Sequence, residues 1–104
     1  MDLKDLAERL GLAENEYMDL VRLFIDTSAA ELENLNTAIL NRSEADAMAV
    51  AHSLKGAALN MKLMEFSETA MAMETAIRDS HWPAAEKLSR QFSELLEDLI
   101  WAVR

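Results

Sequence analysis

Apolar residues recur every third or fourth position along nearly the whole chain, and almost nothing interrupts them. Only two glycines and one proline occur in 104 residues. A repeat of that period is one face of an α-helix, and so few turn-forming residues exclude a fold of many short strands. With 51% apolar and 28% charged residues the chain is too apolar to stay disordered. Its length suits one domain, spanning 1–104, with one core.

The periodicity divides into five segments. A short first helix is expected over Asp2–Leu10, with Leu3, Leu6 and Leu10 on one stripe and Gly11 as its stop. A long second helix, Glu14–Asn41, carries Val21, Phe24, Ser28, Leu32, Leu35 and Ile39 at helical steps. Ser43 and Asp46 have the spacing of a capping box that opens a third helix, ending near Met61. A fourth runs from Met64 to Asp79 with Phe66, Ala70, Met73 and Ile77 inward. Pro83 suits the first turn of a fifth, whose seam is Leu88, Phe92, Leu95, Leu99 and Ala102. Met61, Met64 and Met73 are expected to fill the core. Long amphipathic helices with short connections predict an all-α fold, an antiparallel up-and-down four-helix bundle with a short N-terminal capping helix.

Several function classes drop out. Without cysteine there is neither a disulfide nor thiol chemistry. No run of 18 or more apolar residues occurs and the N-terminus lacks a signal-peptide pattern, so a soluble, cytoplasmic protein is expected. A net charge of −9 argues against nucleic acid and anionic membranes as partners. No glycine-rich phosphate loop, hydrolytic triad or catalytic carboxylate pair is present. His81, in the connection before Pro83, has no second histidine to make a metal site, and no cofactor is expected.

The segment Ala51-His52-Ser53-Leu54-Lys55-Gly56 stands apart. With His52 as origin on a helical wheel, Lys55 falls about 60° to one side and Gly56 about 40° to the other. Leu54, Val50 and Met61 fall nearly opposite. An outward histidine with a cation beside it and a bare backbone position next to it is placed to take up an anion such as phosphate. A mid-helix glycine costs about 1 kcal/mol relative to alanine, and close approach of another molecule would account for it.

This arrangement resembles the histidine-containing phosphotransfer (HPt) domain, whose motif His-x-Leu-Lys-Gly is met by His52, Leu54, Lys55 and Gly56. The segment departs from the family pattern at Ala57 and Ala58, where a small polar pair is common, and at Lys62, where many members have a second glycine. The resemblance implies a histidine phosphocarrier in a phosphorelay, not a complete enzyme. His52 would accept a phosphoryl group and exchange it with the aspartate of a response-regulator receiver domain, or receive it from a sensor or hybrid histidine kinase. It also implies that the receiver brings the Mg²⁺, and the carrier is expected to be a monomer.

Hairpin geometry nominates a partner for the imidazole. Facing residues of antiparallel helices have numbers with a constant sum, here about 126 from a turn near Leu63. His52 then faces Glu74, Lys55 faces Met71 and Met48 faces Arg78. A Glu74 carboxylate accepting from Nδ1–H would leave Nε2 as the free lone pair. The alternative is a solvated Glu74 paired along its own helix with Arg78. Lys55 is either a phosphate contact or an ordinary surface lysine. Ala45, Met48, Ala49 and Leu59 share the outer face with His52 and would make a docking patch for a partner, with Gly56 and Arg78 also partner-facing, unless Met48 and Leu59 are half-buried against neighbouring helices. Two rival classes remain: a dimerising histidine-kinase hairpin, usually marked by an acid directly after the histidine where this chain has Ser53, and a helical binding module that has lost phosphotransfer.

Overall fold

The computed structural model describes residues 2–103. The span expected for the domain includes Met1 and Arg104, which lie outside them. Five helices follow in order: α1 Leu3–Arg9, α2 Glu14–Leu40, α3 Glu44–Asn60, α4 Met64–Arg78 and α5 Trp82–Ala102, with no strand among the described residues. Helices α2 to α5 form an antiparallel ring in which α2 packs on α3, α3 on α4, α4 on α5 and α5 back on α2. The molecule measures 41 × 21 × 17 Å. At about 1.5 Å per residue, α2 alone spans the long dimension.

Burial follows the sequence stripes closely. On α2 the six expected residues are buried, joined by Tyr17, Ile25 and Ala38. Phe66 of α4 packs edge-on between Phe24 of α2 and Phe92 of α5, with centroids 5.2 and 5.1 Å away. Aromatic edges against faces add attraction beyond the area buried. On α3 the fully buried residues are Ala47, Ala51, Leu54 and Ala58. Three of these four are methyl-sized, which lets α3 approach its neighbours closely.

Two core assignments need correction. Met64 is 54% exposed, because Leu63, just before α4, takes the inward position at 2% exposure. On α5 the buried seam is Ala85, Ser89, Phe92, Leu96 and Leu99, stepping by four and three. Leu88 and Leu95 flank it half-buried and Ala102 is exposed.

The connections share one geometry. Between α2 and α3, α3 and α4, and α4 and α5, a single left-handed residue separates the helix end from the next helix start: Arg42 (φ 55°), Lys62 (φ 58°) and Ser80 (φ 57°). After α1 the same role falls to Gly11 (φ 70°). Each is a Schellman turn, in which the third residue beyond the helix end donates its N–H back five residues. Ser43 donates to the Ala38 carbonyl (2.9 Å), Leu63 to Ala58 (2.9 Å), His81 to Ala76 (2.8 Å) and Leu12 to Ala7 (3.0 Å). The expected capping box at Ser43 and Asp46 therefore does not form. Ser43 is the first-cap residue of α3, but its N–H is already given to Ala38 and its hydroxyl makes no cap hydrogen bond. The connection to α2 is one residue longer, leaving the Ala13 N–H for the Glu16 carboxylate at 3.0 Å.

A buried hydrogen bond fixes the α3–α4 turn to α2. The Tyr17 hydroxyl, fully buried, donates to the Met61 carbonyl at 2.9 Å. At the opposite end, the Arg42 guanidinium donates to the Ile39 carbonyl (2.8 Å), pairs with Glu86 (3.4 Å) and lies 5.6 Å above the Trp82 ring. Among the described residues helix α1 packs on α2 and contributes only Leu3 and Ala7 to the buried residues. Beneath it, a cleft of about 410 Å³ opens toward the α3–α4 turn and α5, floored by Leu63 and Leu99.

Two outcomes follow. Holding a side chain with Cβ in the left-handed region costs about 1–2 kcal/mol, so Lys62→Gly should raise unfolding free energy by about 0.5–1 kcal/mol after the greater chain entropy of glycine is subtracted. Arg42→Gly should gain less, because it also removes the guanidinium contacts; denaturant titration of both variants checks this. Tyr17→Phe should cost about 1–2 kcal/mol by leaving the Met61 carbonyl without its donor. Burial raises the Tyr17 pKa from 10.0, so the folded state holds this proton more tightly than the unfolded chain. The wild-type stability contribution is therefore complete below about pH 10 and falls as pH rises above it, a loss that Tyr17→Phe should abolish.

Candidate functional site

The Schellman turn at Lys62 returns α4 along α3 and sets which residues lie level. His52, at the middle of α3, projects its ring into solvent with 72% of the side chain exposed. The face behind it, Leu54 and Ala51, is buried. Across the helix pair, Glu74 of α4 is buried at 8% exposure, so it is not a solvated glutamate. Arg78, one turn further on, is exposed and makes no ion pair among the described residues.

Glu74 stands between two cationic or potentially cationic groups of α3. Its Oε2 is 3.7 Å from His52 Nδ1, an ion-pair distance too long for a hydrogen bond. Its Oε1 is 2.8 Å from Lys55 Nζ. Among the described residues Oε1 has no well-aligned hydrogen-bond donor, so this charge contact is its compensation. An enclosed carboxylate left without a cation would be costly, which explains why the Lys55 side chain turns inward to 21% exposure. Lys55 thus reaches Glu74, where hairpin spacing alone paired it with Met71. Met71 is 54% exposed.

On its other flank the His52 turn is tied to α2. The Ser53 hydroxyl donates to Glu31 Oε1 at 3.0 Å. Sequence reading missed this contact, since a serine following a histidine carries no signal of its partner. It also missed a charge pattern that was legible: of 19 acidic residues in the chain, none lies between Ala47 and Met64. Both carboxylates near the imidazole come from other helices.

The remaining candidates divide by exposure. Ala49 is exposed, Leu59 is 45% exposed and Met48 is half-buried. Gly56 is half-buried on the α2 side of His52, and a Cβ added there would meet nothing within 4 Å. No packing inside the molecule requires a glycine at this position. Neither His81 nor any other group among the described residues forms a cluster able to hold a metal ion. No helix is long and apolar enough to cross a membrane.

This geometry, an exposed imidazole on the second helix of a four-helix bundle with a lysine and a bare backbone position beside it, is accompanied by a family match. The pattern of the Hpt domain fits residues 19–101, from the second turn of α2 to the end of α5. The chain belongs to the Hpt domain family. No curated protein and no solved structure matches the chain. Helix α1 precedes the matched region.

Gly56→Ala should stabilise the fold by about 0.5–1 kcal/mol through helix propensity, since its methyl meets no neighbour. A long side chain at the same place, Gly56→Gln, should keep the stability of an ordinary helix residue yet slow exchange of phosphate with a protein partner. Thermal unfolding and a transfer time course on the same two variants separate the effects. Normal transfer by Gly56→Gln would remove the steric role.

Proposed function

We propose that this Hpt domain is a phosphocarrier whose phosphoacceptor is Nε2 of His52. In the forward step the Nε2 lone pair attacks the phosphorus of a receiver's aspartyl phosphate. The N–P bond forms as the P–O bond to the aspartyl carboxylate breaks, and the carboxylate leaves with the electron pair. The reverse step returns the group to a receiver aspartate. Supply from a histidine kinase module would follow the same course with a phosphohistidine as donor or with ADP as leaving group.

The observation that carries this reading is the exposed His52 ring with its Nδ1 edge turned toward a buried carboxylate. A proton on Nδ1 facing Glu74 leaves Nε2 unprotonated and pointing to solvent. As the ring gains positive charge on phosphorylation, Glu74 Oε2 is already in place to offset it, without the reorganisation that water would need. Lys55 has two uses. It compensates Glu74 in the resting protein, and it lies within one turn of the imidazole, near enough to share charge with phosphoryl oxygens. The stretch without acids from Ala47 to Met64 lowers repulsion of an incoming anion on a chain of net charge −9. A dimerising kinase hairpin would leave two helices short of a bundle, whereas here α2 to α5 enclose a core within one chain.

The phosphorylated protein should carry one phosphoryl group in an acid-labile, alkali-stable bond. His52→Gln should abolish labelling with helical circular dichroism unchanged. Glu74→Gln should slow transfer by about fivefold, the rate equivalent of about 1 kcal/mol at a partly screened site, without stopping it. Labelling that survives His52→Gln would sink the assignment.

A further inference from the structure

The cleft of about 410 Å³ beneath α1 does not end at the α3–α4 turn. Glu65, Leu95 and Asp98 line it, and they also line a second hollow of about 330 Å³ that continues along the seam between α4 and α5. The first part is apolar. Leu6 of α1, Met64 at the start of α4 and Leu95 of α5 stand around its floor of Leu63 and Leu99. Met64, 54% exposed, projects there as an apolar rim. The second part is bordered by Glu65 and Glu68 of α4 and by Glu94 and Asp98 of α5, all exposed. No ion pair joins these four carboxylates to another described residue. From Gln91 to Ala102 of α5 the two hollows together run about 16 Å, the length of three helical turns.

Charge restricts what can lie there. Lys62, at the turn, is the one cation lining either hollow, against four carboxylates. Nucleic acid and an anionic lipid surface would be repelled, and so would a second copy of a chain with net charge −9. A small apolar molecule would fill the recess and leave the carboxylates without a counter-charge. A helix with one apolar stripe flanked by lysine or arginine complements both parts, its apolar residues in the recess and its cations along the seam. The location is remote from the imidazole. No residue of α3 lines either hollow. Met64 precedes Glu74 by ten residues, about 15 Å of helix from the level of His52. Leu6 belongs to α1, outside the region that the family pattern matches.

We propose that the cleft beneath α1 and the α4–α5 seam together bind a basic amphipathic helix of a partner protein, and that His52 stays open to solvent while they do. The apolar recess supplies affinity, and the row of carboxylates supplies register and choice of partner. This goes beyond the phosphocarrier reading and does not depend on it. Under that reading, such a partner would tether the carrier without competing with its receivers.

Fluorescence anisotropy of a labelled synthetic peptide provides the test. The peptide is about 15 residues long, enough to form a helix on binding, with leucine at three- and four-residue steps and lysine elsewhere. It should bind the wild-type protein. A peptide of the same composition, with its leucines spread round the helix, should bind about tenfold more weakly. Met64→Asp, which sets a charge in the apolar rim at an exposed position, should weaken binding by about tenfold. Glu94→Lys combined with Asp98→Lys should weaken it by about tenfold at low salt. Asp26→Lys combined with Glu33→Lys makes the same change in net charge at exposed positions of α2, and should alter binding by less than about threefold. In NMR titrations the amides of Glu65, Glu94 and Asp98 should shift while the His52 ring signals stay in place. The proposal is overturned by absence of binding, by equal binding of the two peptides, or by normal binding to Met64→Asp. Equal losses in the two charge-reversed pairs, or shifts centred on His52, overturn it as well. So does a wild-type dimer that Met64→Asp dissociates, which gives the cleft to a second copy.

Discussion

The fold depends on a backbone device, the left-handed residue that closes α2, α3 and α4. In each turn one N–H that could have been capped by the next helix is given instead to a carbonyl of the helix before. Three residues then suffice to reverse the chain, and adjacent helices must run antiparallel with little freedom to slide. Register follows. Glu31, His52 and Glu74 belong to three different helices, and they come to one level because the turns at Arg42 and Lys62 are equally short. The buried Tyr17–Met61 hydrogen bond adds a lock on the second of these turns from a helix that takes no part in it.

Against that rigid frame, the charged groups at the site distribute themselves by cost. A carboxylate as enclosed as Glu74 needs a cation, and the ammonium of Lys55, on a long flexible stem, reaches it at 2.8 Å. The imidazole, shorter and more exposed, is left at 3.7 Å and keeps its outer nitrogen free. Had the glutamate no lysine within reach, its claim on Nδ1 would be stronger and the ring would be drawn inward. Lys55, not the imidazole, holds the closer contact with Glu74.

Much of this was legible in the sequence, for reasons that differ by residue. Helix number and span followed from periodicity, and the Gly11 stop followed from glycine's ease at positive φ. The level of His52 with Glu74 followed from counting back from one turn. Side-chain reach did not, because counting treats a lysine and a methionine as equal, so Lys55 was matched to Met71 although its stem carries it a turn further. Three turns escaped the usual signals since arginine, lysine and serine occupy the left-handed position. Lys62 is instructive: the place where relatives of the resembled pattern have glycine is the place where φ is 58°. Met64 was misplaced because its neighbour Leu63 competes for the same inward direction, a choice that periodicity cannot make at a helix start.

Among the described residues helix α1 packs chiefly on α2, and the cleft below it separates it from the turn and the α5 end that it overhangs. Its amides are therefore held by a unit that can detach without disturbing the ring of four. Hydrogen exchange across Leu3–Arg9 would report that local detachment, while amides of the Phe24–Phe66–Phe92 layer would exchange only when the whole ring opens. The site at His52 lies wholly within the ring of four, apart from α1.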